Sequence, residues 1–183
     1  EDFNRLWSED VLDGPRQSVE LARARQIRPF IAEADFLLDI HSMQHATEAL
    51  MLAGPLAKGR TLAKATNVPR TVVSDHGHAA GKRMRDYGAF IDPNSPKNAL
   101  LIECGQHWEK SSEFMAKESM LRFLLHTGTL NQDDVGPHLG DTPPKQVFIE
   151  VSGPVTIKTD SFKFAHDYKG LEVIEKAGTV LGH

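Results

Sequence analysis

The sequence predicts an α/β fold, a mixed sheet flanked by helices, with a small β domain at its C-terminal end. Three observations carry that expectation. Helical and strand-like stretches alternate as far as Gly128, strand-like stretches alone follow, and a polar stretch ending in Pro143-Pro144 separates the two regimes. The expected division is an α/β catalytic domain over 1–128, a linker over 129–145 and a β-rich C-terminal domain over 146–183. A chain of 183 residues suffices for one large domain, or for one domain with a small appendage.

Taken in order, Asp13-Gly14-Pro15 reads as a turn that opens a helix reaching about Ala34. Val19, Ala22, Ile27, Phe30 and Ile31 are available for its apolar face, and Pro29 is expected to kink or split it. Leu37-Leu38-Asp39-Ile40-His41-Ser42 is a short apolar run of the kind that forms a buried strand. Leu56 to Thr66 reads as a helix and Thr71-Val72-Val73-Ser74 as a strand. Residues 75–97 form a long surface excursion. Ala99 to Gly105 repeats the earlier theme, an apolar strand ending in a carboxylate. Ser111 is placed to cap a helix that Gly128 stops, with Phe114, Met120, Leu121, Leu124 and Leu125 facing inward. Beyond the linker, strands are expected over Gln146–Ser152, Val155–Thr159, Leu171–Ile174 and Thr179–Leu181.

Composition narrows the function classes. A formal charge of −4 supplies no electrostatic case for nucleic acid or for an anionic membrane as partner. No apolar run approaches the ~20 residues of a membrane span, no signal peptide is evident, and the default compartment is cytoplasmic. The single cysteine, Cys104, excludes an intrachain disulfide. The opening on Glu1-Asp2-Phe3 without methionine, and the stop at Gly182-His183, suggest a segment of a longer protein.

In open α/β sheets, chemistry gathers where strands end at their carboxyl edge. His41 and Glu103 both end apolar strands. Asp39 shares a strand face with His41, where it could fix the tautomer of a metal-binding imidazole. Partial burial would raise the Glu103 pKa toward the range of a general base, although a strand-end Glu paired with Lys or Arg is the ordinary alternative. Together the two suggest a metal-activated water. Arg5 could grip a carboxylate bidentately with the neighbouring Asn4 amide completing the cradle; a surface arginine is the plain alternative. Lys82, Arg83 and Arg85 either close over an anionic substrate or sit in a solvated loop. His45 with Glu48, and His76 with His78, have ligand-like spacings that arise often by accident. His107 belongs to a strand-to-helix loop, and Cys104 reads as a small buried residue.

Four short motifs, in order, resemble one family. Asp2-Phe3-Asn4-Arg5, Leu38-Asp39-Ile40-His41-Ser42, Leu101-Ile102-Glu103-Cys104-Gly105 and the tail from Glu172 to Thr179 look like the succinylglutamate desuccinylase/aspartoacylase family of zinc carboxypeptidase-like hydrolases. The resemblance implies that His41 is a zinc ligand, Glu103 the general base, and Asn4 and Arg5 the binders of a substrate carboxylate. It also implies a Zn2+ cofactor and a small-molecule substrate, an N-acylated amino acid or related amide, and it is compatible with a homo-oligomer. The family's other two ligands come from an upstream His-x-x-Glu motif that this sequence lacks before Asp2, so the α/β domain would lack its N-terminal part. Peptide cleavage of the carboxypeptidase type, or a binding domain that has lost its metal, are the alternatives.

Overall fold

The computed structural model describes residues 1–183, built on a five-stranded sheet of order β1-β4-β2-β3-β5. Its strands are β1 (Phe36–Met43), β2 (Leu50–Leu52), β3 (Thr71–Ser74), β4 (Asn98–Gln106) and β5 (Val147–Glu150). β1 runs parallel to β4, β2 antiparallel to β4, and β3 parallel to both β2 and β5, so the sheet is mixed. The helices are α1 (Glu9–Leu12), α2 (Val19–Glu33), α3 (Ala57–Thr66), α4 (Lys110–His126) and α5 (Gln132–Val135).

β4 lies between two partners and β1 lies at an edge, which explains their different burial. Ala99, Leu100, Leu101 and Ile102 are buried, whereas Phe36 and Ile40 are 41% and 44% exposed. The apolar run of β1 therefore does not make the buried strand expected from it, because one of its flanks has no neighbouring strand. On the helical side of the sheet, Leu100, Ile102 and Cys104 pack with Met51 and Val72 from the neighbouring strands, Leu62 from α3 and Phe123 from α4. A second cluster joins Leu6, Trp7, Leu12, Leu21, Ala24 and Tyr87. It ties the N-terminal segment to α2 and to the stretch after β3.

The Ser18 hydroxyl caps α2, accepting from the Leu21 N–H at 3.0 Å. Pro29 lies inside α2 without splitting it. The face that α2 buries is set by Leu21 and Ala24, with Ile27 and Ile31 partly packed, while Val19 and Phe30 stand 84% and 72% exposed. α4 departs similarly from its expected face. Ser112, Glu118, Ser119 and Phe123 are buried and Phe114 is 54% exposed, while Leu124, one of the expected residues, does pack against the core. Glu118 can be buried there because it pairs with Arg122 at 2.7 Å and accepts the Gly140 N–H at 2.9 Å. Ser111 does not cap α4, since Glu109 occupies the cap position.

The C-terminal third differs most from expectation. Residues 129–145 contain α5, closed by a capping box between Asn131 and Asp134, with Val135 fully buried, so this stretch is not a bare linker. β5 extends the main sheet beside β3 instead of opening a separate one. Past Glu150 no regular strand forms; the expected strands at Val155–Thr159, Leu171–Ile174 and Thr179–Leu181 are absent, and Phe164 with Gly182 makes one isolated bridge. The apolar residues of these stretches lack a neighbouring ladder to pair with, and Val155 and Val173 are 97% and 84% exposed. No helix is long and apolar enough to cross a membrane.

Candidate active site

Parallel pairing sets His41 directly against Glu103 across β1 and β4. Residues in parallel register project to the same side of a sheet, and the period of two adds Asp39 and Leu101 to that side. Leu52 of β2 pairs with Leu101. His41, Glu103, Leu101 and Leu52 floor a cavity of roughly 190 Å³ whose walls are Asp2, Asn4, Arg5, His78 and Arg83. Sequence spacing thus led to the juxtaposition of His41 with Glu103; His78 and Arg83, for each of which the sequence left two readings open, also border the cavity, while Asp2 had no local signal.

The N-terminal residues reach the cavity through a tight contact with the stretch after β3. Leu6 bridges to Lys82, the Trp7 N–H donates to the Lys82 carbonyl at 3.2 Å, and the Trp7 ring meets Tyr87 edge-on at 5.6 Å. Gly81 permits the approach. It adopts a φ of +142°, and a Cβ there would lie 2.2 Å from the Arg5 carbonyl oxygen.

The expected loop of 75–97 is exposed over 76–80 and 92–94, but its middle, from Arg83 to Tyr87, is drawn inward. Arg83 donates to both Asp75 oxygens at 2.9 Å and to Asp86 at 3.0 Å, with 5% of its side chain exposed. Arg85 is bound to Asp86 and to the Ala53 and Ala99 carbonyls at 3.2 and 3.1 Å. Gly54, at φ +66°, makes room for that guanidinium, since a Cβ would fall 2.1 Å from its nearest nitrogen. Burial is tolerable because each guanidinium meets carboxylates in fixed geometry. Of the three basic residues, Arg83 alone borders the cavity.

Within the cavity, His41 Nε2 lies 2.9 Å from Asp39 Oδ1 and 3.1 Å from the Asn4 amide nitrogen, and Nδ1 makes no hydrogen bond. The hydrogen bond to Asp39 raises the His41 pKa above its ordinary value, assisted by the charges of Asp39, Glu103 and Asp2 and opposed by burial. Asn4 is buried; its amide nitrogen donates to Asp39 Oδ2 at 3.0 Å and its oxygen accepts the Met84 N–H at 2.7 Å. Arg5 donates to the Asn4 carbonyl at 2.7 Å and approaches Asp2 at 3.6 Å. Glu103 Oε2 is buried with no hydrogen-bond partner. Burial pushes the Glu103 pKa up and Asp39 adds to this, while His41, Arg5 and Arg83 pull it down. The ordinary alternative of a tight ion pair is therefore not formed. A buried carboxylate oxygen without a hydrogen-bond partner is unusual in folded proteins.

The other candidates do not converge here. His45 and Glu48 are exposed, His76 is exposed, and His107 bonds to Ser42 Oγ at 2.8 Å beside the exposed Trp108. Cys104 points into the core, and burial together with Glu103 pushes its thiol up to about 11, so it stays protonated. Two larger clefts, near 590 and 870 Å³, flank α4 and the 169–172 stretch, and neither contains Glu103. No three His, Cys, Asp or Glu side chains are arranged to hold a metal ion. His41 and His78 both border this cavity, but with no third side chain arranged beside them they do not make a complete zinc ligand set.

No family model matches the sequence, and no curated protein does. Solved structures do. The chain is similar to succinylglutamate desuccinylase from Vibrio parahaemolyticus, with a TM-score of 0.62 and 15% identity over 100% of this chain and 55% of that one. It is similar to the ectoine utilization protein EutE from Ruegeria pomeroyi, with a TM-score of 0.57 and 16% identity over 83% of this chain and 47% of that one. It is also similar to a succinylglutamate desuccinylase/aspartoacylase from Rhodobacter sphaeroides, at 0.52 and 17% over 70% and 38%. The chain spans about half the length of these structures or less, and at such identities the likeness establishes the fold they share.

Proposed function

We propose, from the fold shared with succinylglutamate desuccinylase structures, that this chain is the core of a zinc-dependent hydrolase. Its substrate would be a small N-acylated amino acid or a related amide bearing a carboxylate. The observation that carries the reading is Glu103: a half-buried carboxylate with an orphaned oxygen, set in register with His41 at one cavity. Burial holds its pKa above the ordinary carboxylate value, which suits a group that must take a proton from water and return it to a leaving amine. Arg5 lies at the cavity wall with nitrogen donors left over from its loose contact to Asp2, and would bind the substrate's carboxylate. Arg83, held rigid by Asp75 and Asp86, adds positive charge to the same wall.

His41 Nδ1 is the nitrogen this chain would offer to zinc, with Asp39 fixing the ring from Nε2. The other ligands would come from outside residues 1–183. Zinc in such a site acidifies a bound water and polarises the scissile carbonyl. Residues 151–183 are proposed as part of a C-terminal β unit.

The test is hydrolysis of N-acylated amino acids, N-succinyl-L-glutamate first, by the full-length protein with zinc and after chelation. Zinc-dependent release of the free amino acid, lost with Glu103→Gln, is the expected result. Binding of the acyl amino acid without turnover would favour a binding domain. Turnover of peptides alone would move the substrate to the carboxypeptidase class.

A further inference from the structure

Asn4 and Arg5 are neighbours in sequence, yet their side chains are committed differently. The Asn4 side chain bridges two elements: its oxygen takes the backbone N–H of Met84, and its nitrogen gives a proton to Asp39. Asp39 uses its other oxygen to hold His41 Nε2. A line of hydrogen bonds therefore runs from the 82–87 backbone through Asn4 and Asp39 to the imidazole, and the Asn4 amide nitrogen also lies 3.1 Å from Nε2 itself, where a proton on Nε2 has only the Asp39 oxygen to go to. Asn4 is 6% exposed, so little of its amide is left for a ligand. Arg5, by contrast, keeps 24% of its side chain open, and its contact to Asp2 is 3.6 Å.

We propose that Asn4 is a positioning residue, which fixes the Asp39 carboxylate so that His41 keeps its proton on Nε2 and presents a bare Nδ1 to the cavity, and that carboxylate recognition falls to Arg5 alone. This rests on the hydrolase reading only for its kinetic consequence. A carboxylate free to rotate would lose its grip on one ring nitrogen, and the imidazole would then sample both tautomers and other ring orientations. The Met84 N–H keeps the Asn4 amide from turning over, because its oxygen must face that donor. The stretch after β3 thereby sets the orientation of a side chain on β1, although no residue of that stretch touches His41 through a hydrogen bond.

Asn4→Asp is the sharpest variant for turnover. It keeps the acceptor for Met84, removes the donor to Asp39, and sets two carboxylates face to face. The first measurement needs neither metal nor substrate. In the unmodified chain, at a pH where the ring is neutral, imidazole nitrogen resonances should show a protonated Nε2 and a bare Nδ1. In Asn4→Ala, which removes the amide without setting a new acceptor beside Nε2, both should move toward averaged values, and resonances identical to the parent would overturn the proposal. Should Asn4→Asp and Asn4→Ala both fail to fold, the unmodified chain decides. The Asn4 side-chain amide should exchange with solvent at least ~10-fold more slowly than that of exposed Asn94, whereas equal rates would refute the committed amide. In the full-length hydrolase, Asn4→Asp should lower kcat by about 10- to 100-fold and leave KM within about twofold. A raised KM with kcat intact would make Asn4 a substrate ligand and sink the idea. Absence of turnover in the parent protein would refute the hydrolase reading, and the imidazole resonances would still decide the role of Asn4.

Discussion

The two faces of the β1–β4 pair are built from the same alternating residues and obey opposite rules. On one face Leu100, Ile102 and Cys104 are buried among apolar neighbours from α3 and α4. One residue along the same strand, Leu101 and Glu103 face the cavity, and there a carboxylate oxygen is buried without a partner. Burying the core residues lowers the free energy of the fold, whereas taking a carboxylate oxygen from water without a hydrogen bond costs free energy. The difference shows how sharply the two environments part on this sheet: they change within a single residue, because the period of two in a strand separates the faces completely.

The strongest way to break this comparison is to neutralise the cavity face. Glu103→Gln keeps the shape and removes the base, so kcat of the full-length protein should fall by about 10²- to 10⁴-fold with zinc content nearly intact. Its unfolding free energy should be equal to the parent's or higher. A loss of stability would show that Glu103 serves the fold, and a loss of zinc would make it a ligand. Next in size is Arg5→Ala, which should lower kcat/KM by roughly 30- to 1,000-fold, chiefly through KM. Lysine should restore it only in part, because an ammonium cannot reproduce the planar fork. An amide substrate without the carboxylate should be poor with the parent and nearly indifferent to the change. Equal losses on both substrates would remove Arg5 from carboxylate recognition.

On the other face the expected effect is smaller and of the other kind. Ile102→Val deletes one methylene from the fully buried cluster and should cost about 1 kcal/mol of stability with kcat unchanged. A tenfold change in kcat without a matching change in stability would mean that the faces are mechanically coupled and the comparison too simple.

What was legible in the sequence follows the range of the forces involved. The pairing of His41 with Glu103 was legible because each closes a local apolar run, and parallel neighbours align such runs. The buried state of Arg83 and Arg85 was not. Their carboxylates are close in sequence, but the burial depends on Gly54, the Ala53 and Ala99 carbonyls and the docking of Trp7, all distant. The β-branched runs after Val151 resembled strands, yet a strand exists only with a partner, and no local pattern reports the partner. The face of α4 was only partly legible, through Leu124, for a related reason. Apolar count pointed to Phe114 and Met120, whereas contact with the sheet buries Ser119 and Phe123. Asn4 shows the same limit at the site: its place beside Arg5 suggested one shared task, and only Met84 and Asp39 reveal another.

The smallest expected effect concerns pH, and it uses Glu103 against itself. Burial raises its folded pKa above the unfolded value, so folding favours the protonated form. The stabilising contribution of that proton is fully present below the unfolded carboxylate pKa. It is lost as pH rises through the higher folded value. His41, whose folded pKa is also raised, loses stability in the same direction but over a window beginning near the ordinary imidazole value. The two contributions can be separated by comparing the parent with Glu103→Gln. Their difference in unfolding free energy should shift toward the variant as pH climbs out of the acid range and level off once Glu103 is ionised in the fold. Denaturant titrations of the metal-free chain at a series of pH values measure it. A difference that is flat across the acid range would mean that solvent reaches the carboxyl freely. The cavity face would then carry no buried charge, and the contrast with the face of Ile102 would dissolve.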